Sequence, residues 1–224
     1  RGFGGLYPGT TRTTVTQPRD TIAGLVLAGG KSRRMGADKA FLMLNGRPLL
    51  AHVIERARSQ VDTLLISAND DPQRYAVWDA PVLADAFGQL GAIGPLAGIF
   101  TALVWLRAKR PDVRWLAAFA CDTPFFSSDL TVRLHGAAVE ANVAVAIPCS
   151  GGRMHPLLAL IRADIPIPPP LPESFGEKRA QTWTTSLPHT YVEFDTRGFD
   201  PFFNINMPAD LVEAERILAD RPAG

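Results

Sequence analysis

The chemistry of this chain concentrates in a glycine turn near its start, Leu27-Ala-Gly-Gly-Lys-Ser-Arg-Arg-Met-Gly-Ala-Asp-Lys39. Glycines at 29 and 30 let backbone amides approach a ligand closely, and amides converging on one point bind anions. Between Gly30 and Arg47 stand Lys31, Arg33, Arg34, Lys39 and Arg47 against the single acid Asp38, although the whole chain carries a formal net charge of only +1. Phosphate is the ligand that suits this local excess. Lysine is otherwise scarce: Lys31 and Lys39 are two of four lysines beside nineteen arginines, and an ammonium offers phosphate a compact point charge. Two familiar phosphate loops fail by counting. A P-loop requires glycine at position 25, which is Leu25, and Gly29-Gly30 with Gly36 does not fit the dinucleotide fingerprint.

Farther along, Asp122 closes an apolar run, Trp115 to Ala120, at the edge where open α/β sheets hold their ligands. Cys121 beside it reads as a small buried residue, because phosphate transfer needs no thiol. For His155, contact with a substrate and a satisfied structural role both stand open. Asn204 and Asn206 offer neutral amides that either orient a ligand or cap a helix.

These residues need elements to hold them. Ile22, Leu25, Val26 and Leu27 form a short apolar run ending at Gly29-Gly30, the pattern of a buried parallel strand. Pro48 suits a first helical turn, and Leu49, Leu50, Val53, Ile54, Ala57 and Val61 recur at helical spacing. Strands follow at Thr63 to Ser67 and Val82 to Ala84, a helix at Pro95 to Arg107, and a strand at Trp115 to Ala120. A helix at Asp129 to Ala141 and a strand at Val143 to Ile147 complete the series. Strands alternating with helices imply parallel pairing through right-handed crossovers, hence an α/β fold with a single doubly wound, mostly parallel sheet flanked by helices.

After Gly152 the rhythm breaks. Leu157 to Ile161 reads as a strand, and prolines at 166, 168, 169, 170 and 172 cannot occupy a helix interior. Thr190 to Phe194 alternates as an edge strand does, and Pro208 to Ala219 is the last helix. Met207 stands at its cap without the oxygen of a Ser or Thr, so a weakened helix start is expected. Residues 1–20, rich in Gly, Thr, Pro and Arg, read as a disordered leader or an expression remnant, and residues 21–220 as one domain.

The turn resembles the signature of the molybdenum cofactor guanylyltransferases, Leu-Ala-Gly-Gly-x-Ser-x-Arg-Met-Gly-x-Asp-Lys. Gly94-Pro-Leu-Ala-Gly-Ile99, Cys121-Asp-Thr-Pro-Phe125, His155-Pro156, Gly176-Glu-Lys-Arg179 and Asn204-Ile-Asn-Met-Pro-Ala-Asp-Leu211 resemble further family blocks in the right order, so the likeness covers about residues 22–218. It implies a Rossmann-like nucleotidyltransferase that moves GMP from GTP to the phosphate of molybdenum-carrying molybdopterin. The products would be molybdopterin guanine dinucleotide and pyrophosphate, and Mg²⁺ would be required. It also implies roles. Leu27, Ala28, Gly29 and Gly30 would bind nucleotide, Lys39 and Arg34 would neutralise phosphate charge, and Asp122 would hold Mg²⁺. Asp85 would lie near the guanosine, where a carboxylate can accept from guanine N1–H and its amine. Ser67 and Asn69, at the end of the strand Thr63 to Ser67 and in the loop after it, would meet base or ribose; Ser67 departs from the family's usual Asn, so its contact would be altered or supplied by Asn69. Asn204 and Asn206 would orient the pterin or the metal-bound phosphate. Beyond GTP and molybdopterin, implied partners are other molybdenum cofactor proteins and molybdoenzyme chaperones.

Composition narrows the field. At 224 residues with 46% hydrophobic and 20% charged, the chain has the makeup of a soluble globular protein. Two cysteines make no disulfide framework and no zinc site, which favours a reducing cytoplasm. The uncharged stretch Ala86 to Leu106 is broken by Gly88, Gly91, Gly94, Pro95 and Gly98, so it reads as a buried helix rather than a membrane span. Near-neutral charge without an aromatic platform argues against nucleic acid. A cytidylyltransferase for the same cofactor is the nearest rival, but such relatives usually carry Ala where this chain has Gly29. Sugar-phosphate nucleotidyltransferases share the fold and are usually longer. An adaptor binding nucleotide and molybdopterin without turnover is the rival from another class, and Lys39 with Asp122 weighs against it.

Overall fold

The computed structural model describes residues 20–29, 38–86, 94–167 and 178–220. In chain order the strands and helices are β1 (Thr21–Leu27), β2 (Met43–Leu44), β3 (Arg47–Pro48), α1 (Leu49–Arg58), β4 (Thr63–Ser67), β5 (Val82–Leu83), α2 (Pro95–Lys109) and β6 (Val113–Ala120). There follow α3 (Leu130–Glu140), β7 (Val145–Ser150), β8 (Arg153–Met154), β9 (Leu160–Arg162), α4 (Lys178–Ser186), β10 (His189–Phe194) and α5 (Pro208–Ala219). Eight strands form one sheet in the order β10-β7-β9-β6-β1-β4-β5, with β8 paired to β7. β1 lies between β4 and β6 and is parallel to both, and β10 runs parallel to β7. The expected mostly parallel α/β sheet is therefore present, with an antiparallel β9 set between β6 and β7.

Side-chain alternation builds the layers. Ile22 and Val26 of β1, with Trp115, Ala117 and Phe119 of β6, face the core that receives Leu50, Val53 and Ile54 of α1 and Leu134 of α3. Ala23, Leu25 and Leu27, with Leu116 and Ala118, face Leu96, Ile99 and Leu103 of α2 and Trp183 of α4. Because both faces are covered, these strands are apolar throughout instead of alternating with polar residues. α2 is buried on nearly every side, which is why its sequence is apolar all round. A third, smaller core of Leu44, Leu49, Phe125, Ile205, Ala214 and Ile217 fastens α5 to the β2–β3 hairpin.

Several boundaries move. Pro48 is extended and paired within β3, so α1 begins one residue later, at Leu49. The expected strand Leu157 to Ile161 splits into a 3-10 turn, Pro156–Leu158, and the short β9. The strand expected at Val143 to Ile147 begins at Val145 and runs to Ser150. Pro166 lies in irregular chain, and prolines 168, 169, 170 and 172 lie outside the described residues, as do residues 1–19. The weakened start expected at Met207 is offset: the Asp210 carboxylate accepts from the backbone N–H of Met207 at 2.8 Å and of Asn206 at 2.7 Å. No helix among the described residues is long and apolar enough to cross a membrane.

Candidate functional site

The carboxyl ends of β1, β4 and β6 lie side by side, and each hands a loop to the same edge. Beyond β1, the N–H groups of Ala28 and Gly29 both donate to the carbonyl oxygen of Ser67, at 3.0 and 2.9 Å. Two amides of the glycine turn are thus used to fasten it to β4. Among the described residues a Cβ at Gly29 would meet nothing closer than Ser67 O at 3.7 Å, so their packing does not demand glycine there. Gly30 and Arg34 lie outside the described residues.

Asp38 caps a 3-10 turn, Lys39–Phe41, by accepting from Ala40 N–H at 3.2 Å. That turn aims Lys39 across the sheet edge. Its ammonium donates to Asp122 Oδ2 at 2.5 Å and to Asn206 Oδ1 at 2.6 Å. The Lys39 and Asp122 side chains keep only 13% and 18% of their exposure, so this ion pair is largely shielded from water and stronger than an exposed one. Asp122 follows β6 directly, and its carbonyl oxygen accepts from Ile205 N–H at 2.9 Å, which docks the C-terminal segment against it. Three of the expected residues, distant in sequence, therefore meet within hydrogen-bonding distance. Asn204 is exposed on the same segment.

On the β4 side, Asn69 Oδ1 accepts from Asp85 N–H at 2.7 Å, joining the loop after β4 to the loop after β5. Ser67 is buried. It packs against Gly98 of α2, where a Cβ would overlap the Ser67 hydroxyl and come within 3.0 Å of Ser67 Cβ. Small residues at both positions let α2 approach β4 closely.

Neighbouring groups have settled roles. Burial, with the Asp122 carboxylate adding to it, pushes the Cys121 thiol far up, so this sulfur stays protonated and is no nucleophile. His155 Nε2 lies 2.8 Å from Ser150 Oγ, which donates to Asp200 Oδ1 at 2.8 Å. The ring packs on Phe202 at 4.6 Å between centroids, and burial lowers its pKa. His155 is thus held structurally, tying β7 to the segment that leads to Asn206.

Two contributors carried weak signals in the sequence or none. Asp210, which fixes the backbone of Asn206, stands three residues after the cap position, the spacing of a reciprocal N-terminal cap. Arg74 reaches Asp38 from 36 positions away, and no periodicity announces that.

The donors brought together here are oxygens: the Asp122 carboxylate and the Asn206 amide. Among the described residues no group of three His, Cys, Asp or Glu side chains gathers to hold a metal alone. That set fits a hard cation that takes one carboxylate from the protein and the rest of its shell from phosphate and water, as Mg²⁺ does.

Comparison with known proteins identifies the family. Residues 24–190 match the MobA-like NTP transferase domain. A molybdenum cofactor guanylyltransferase of Rhodopseudomonas palustris (strain BisB5) is 43% identical over 196 residues, covering 86% of this chain and 92% of the relative. One from Brucella melitensis biotype 2 is 35% identical over 219 residues, 90% of this chain and 96% of that one. The solved molybdopterin-guanine dinucleotide biosynthesis protein A from Archaeoglobus fulgidus superposes with a TM-score of 0.61 at 25% identity, over 89% of this chain and 100% of that one. A CMP:2-keto-3-deoxy-manno-octonic acid synthetase complexed with CTP, 13% identical, shares the fold with a TM-score of 0.66 over 89% of this chain and 99% of its own.

Proposed function

This chain belongs to the MobA-like NTP transferase family and, within it, to the molybdenum cofactor guanylyltransferases, and we propose that it transfers GMP from GTP to the terminal phosphate of molybdopterin, Mg²⁺-dependently. The observation that carries this reading is the junction of Lys39, Asp122 and Asn206 at the carboxyl edge of three parallel strands. A pterin phosphate oxygen bonds to the α-phosphorus of GTP. The bond from that phosphorus to the bridging oxygen breaks, and pyrophosphate leaves with the electron pair. The attacking oxygen is already anionic, so no strong general base is needed.

What remains for the protein is positioning and charge. Lys39 supplies an ammonium fixed by two acceptors, ready to exchange one of them for a phosphate oxygen with little reorganisation. Asp122, with Asn206 beside it, would hold Mg²⁺, whose chemistry is to polarise the α-phosphate and offset the charge that develops. Asn69 and Asp85, already bonded to each other, form a rigid wall on the β4 side for base and ribose. Gly29, which the packing of the described residues does not require, leaves that wall open to a purine. Two free thiols support a cytoplasmic site of action.

The test is a Mg²⁺-containing titration with GTP, CTP and ATP, followed by transfer with molybdopterin. Preferential GTP binding with pyrophosphate release is the expected result. Preference for CTP replaces the reading with cytidylyl transfer, and binding without turnover replaces it with an adaptor.

A further inference from the structure

Ala28 and Gly29 on one side and Asp38 on the other are tied to one piece of chain, the end of β4 and the segment after it. On the first side Ala28 and Gly29 donate to Ser67. On the other Asp38 Oδ2 takes an ion pair from Arg74 Nη1 at 2.8 Å, while its Oδ1 caps the turn that begins with Lys39. The same Arg74 nitrogen pairs with Asp70, three residues beyond Ser67, and Asp70 in turn accepts from the Tyr75 hydroxyl at 2.7 Å. Its guanidinium also lies 4.0 Å over the ring of Phe41, the last residue of the Lys39 turn. Phe41 is packed in turn by Tyr75 at 5.5 Å and Trp78 at 6.1 Å between ring centroids.

From this we infer that Arg74 is a positioning residue for Lys39, joining the lysine's turn to the β4 loop through Asp38, Asp70 and Phe41 at once. Only a planar guanidinium can satisfy two carboxylates and stack on a ring together; a lysine ammonium at 74 keeps the charge and loses the stacking. The turn is three residues long and has little stability of its own, so its orientation is set by what holds its cap and its last ring. Its role in transfer rests on the function proposed above, whereas its hold on Lys39 does not.

The experiment compares Arg74→Met, Arg74→Lys and, as a control, Arg197→Met, which removes an exposed ion pair far along the chain. The first readout is the rate of acetylation at each lysine by an amine-reactive reagent, read by peptide mass spectrometry. Shielded Lys39 is expected to label more slowly than exposed Lys109 in the unaltered protein, and several-fold faster in Arg74→Met, with Lys109 unchanged in both. The second is kinetic: kcat falls about 10–100-fold in Arg74→Met, as small displacements of a catalytic group do, while the KM for GTP changes little. Arg74→Lys recovers part of both, and Arg197→Met moves neither.

An unaltered Lys39 labelling rate in a folded Arg74→Met protein overturns the inference whatever the activity does. A rise in KM with kcat unchanged also overturns it, since that would make Arg74 a binding group. If no variant and no unaltered protein transfers GMP while Lys39 labelling still rises, the positioning stands and the functional proposal is what fails.

Discussion

At the scale of single residues, the site rests on an ammonium held by two different acceptors. Lys39→Ala removes the only described cation bonded to Asp122 and Asn206. Loss of one preorganised electrostatic group from a transfer site costs about 10²–10³ in rate, so single-turnover pyrophosphate release is expected to slow by that factor. Asp122→Asn keeps an oxygen facing Lys39 and nearly the same shape but leaves a shielded ammonium without its counter-charge, so its melting temperature should fall while the protein stays folded and Mg²⁺-dependent transfer is lost. Retained turnover in that variant removes Asp122 from the mechanism. Lys39, Asp122 and Asn206 were legible in the sequence because each stands in a short block of distinctive composition. Arg74 was not, because its importance lies in three partners that only folding assembles, and a lone arginine in a polar stretch has no signature.

Among the elements, α2 and α5 are each positioned by one local device. α2 lies against β4 because Gly98 has no side chain: a methyl there would overlap the Ser67 hydroxyl and approach Leu27 Cδ2 to 3.2 Å. Overpacking of this kind costs about 1–3 kcal/mol, so Gly98→Ala should lower the urea midpoint accordingly, and adding Ser67→Ala should recover part of the loss. α5 starts without a side-chain cap of its own and relies on Asp210. Asp210→Ala should cost about 0.5–2 kcal/mol, the usual penalty for a lost N-terminal cap. It should also reduce transfer more than that figure suggests, because the backbone of Asn206 loses its anchor at the same time. Equal activity per folded molecule would show that Lys39 and the Ile205 anchor suffice to hold Asn206. α2, α3 and α5 were read to within two residues, since their apolar spacing follows directly from the face they bury, whereas α1 stops at Arg58, three residues short of the Val61 that continues its spacing. α4 was missed: its sequence Lys178–Ser186 is mostly polar, and Trp183, packed on Phe100 at 4.9 Å, makes its principal contact with the core. The strand expected at Leu157 to Ile161 failed for a related reason, because an apolar run alone does not say where a 3-10 turn replaces extended chain.

For the molecule as a whole, the order of strands was the least legible feature. Alternating strands and helices specify parallel neighbours, but nothing in the residues of β9 announces that it enters antiparallel between β6 and β7. That insertion brings β7 and Ser150 to the position from which the Ser150–His155–Asp200 chain grips the last segment. The grip makes stability depend on pH with a definite sign. Burial holds the folded-state pKa of His155 below its ordinary 6.5, only partly countered by Asp200 and reinforced by Arg153. As pH falls through that value the unfolded chain binds a proton that the folded chain resists, so stability is lost on acidification. A second loss follows near pH 4. The carboxyls of Asp112, Asp164, Asp195 and Glu213 are held low by hydrogen bonds from Arg110, Arg162, Arg197 and Arg216. That of Asp20 is held low by His135 and Trp115 against the opposing effect of burial. These groups stabilise the fold above their unfolded values and cease to do so as pH drops through their lowered ones. Urea midpoints should therefore be level from pH 8 to 7, begin to fall below about 6.5, and fall again below about 4.5. His155→Gln keeps an amide that can donate to Ser150, and it should flatten the first decline while leaving the second. A first decline that survives the substitution would assign it to another group and leave the Ser150 junction without a part in acid lability.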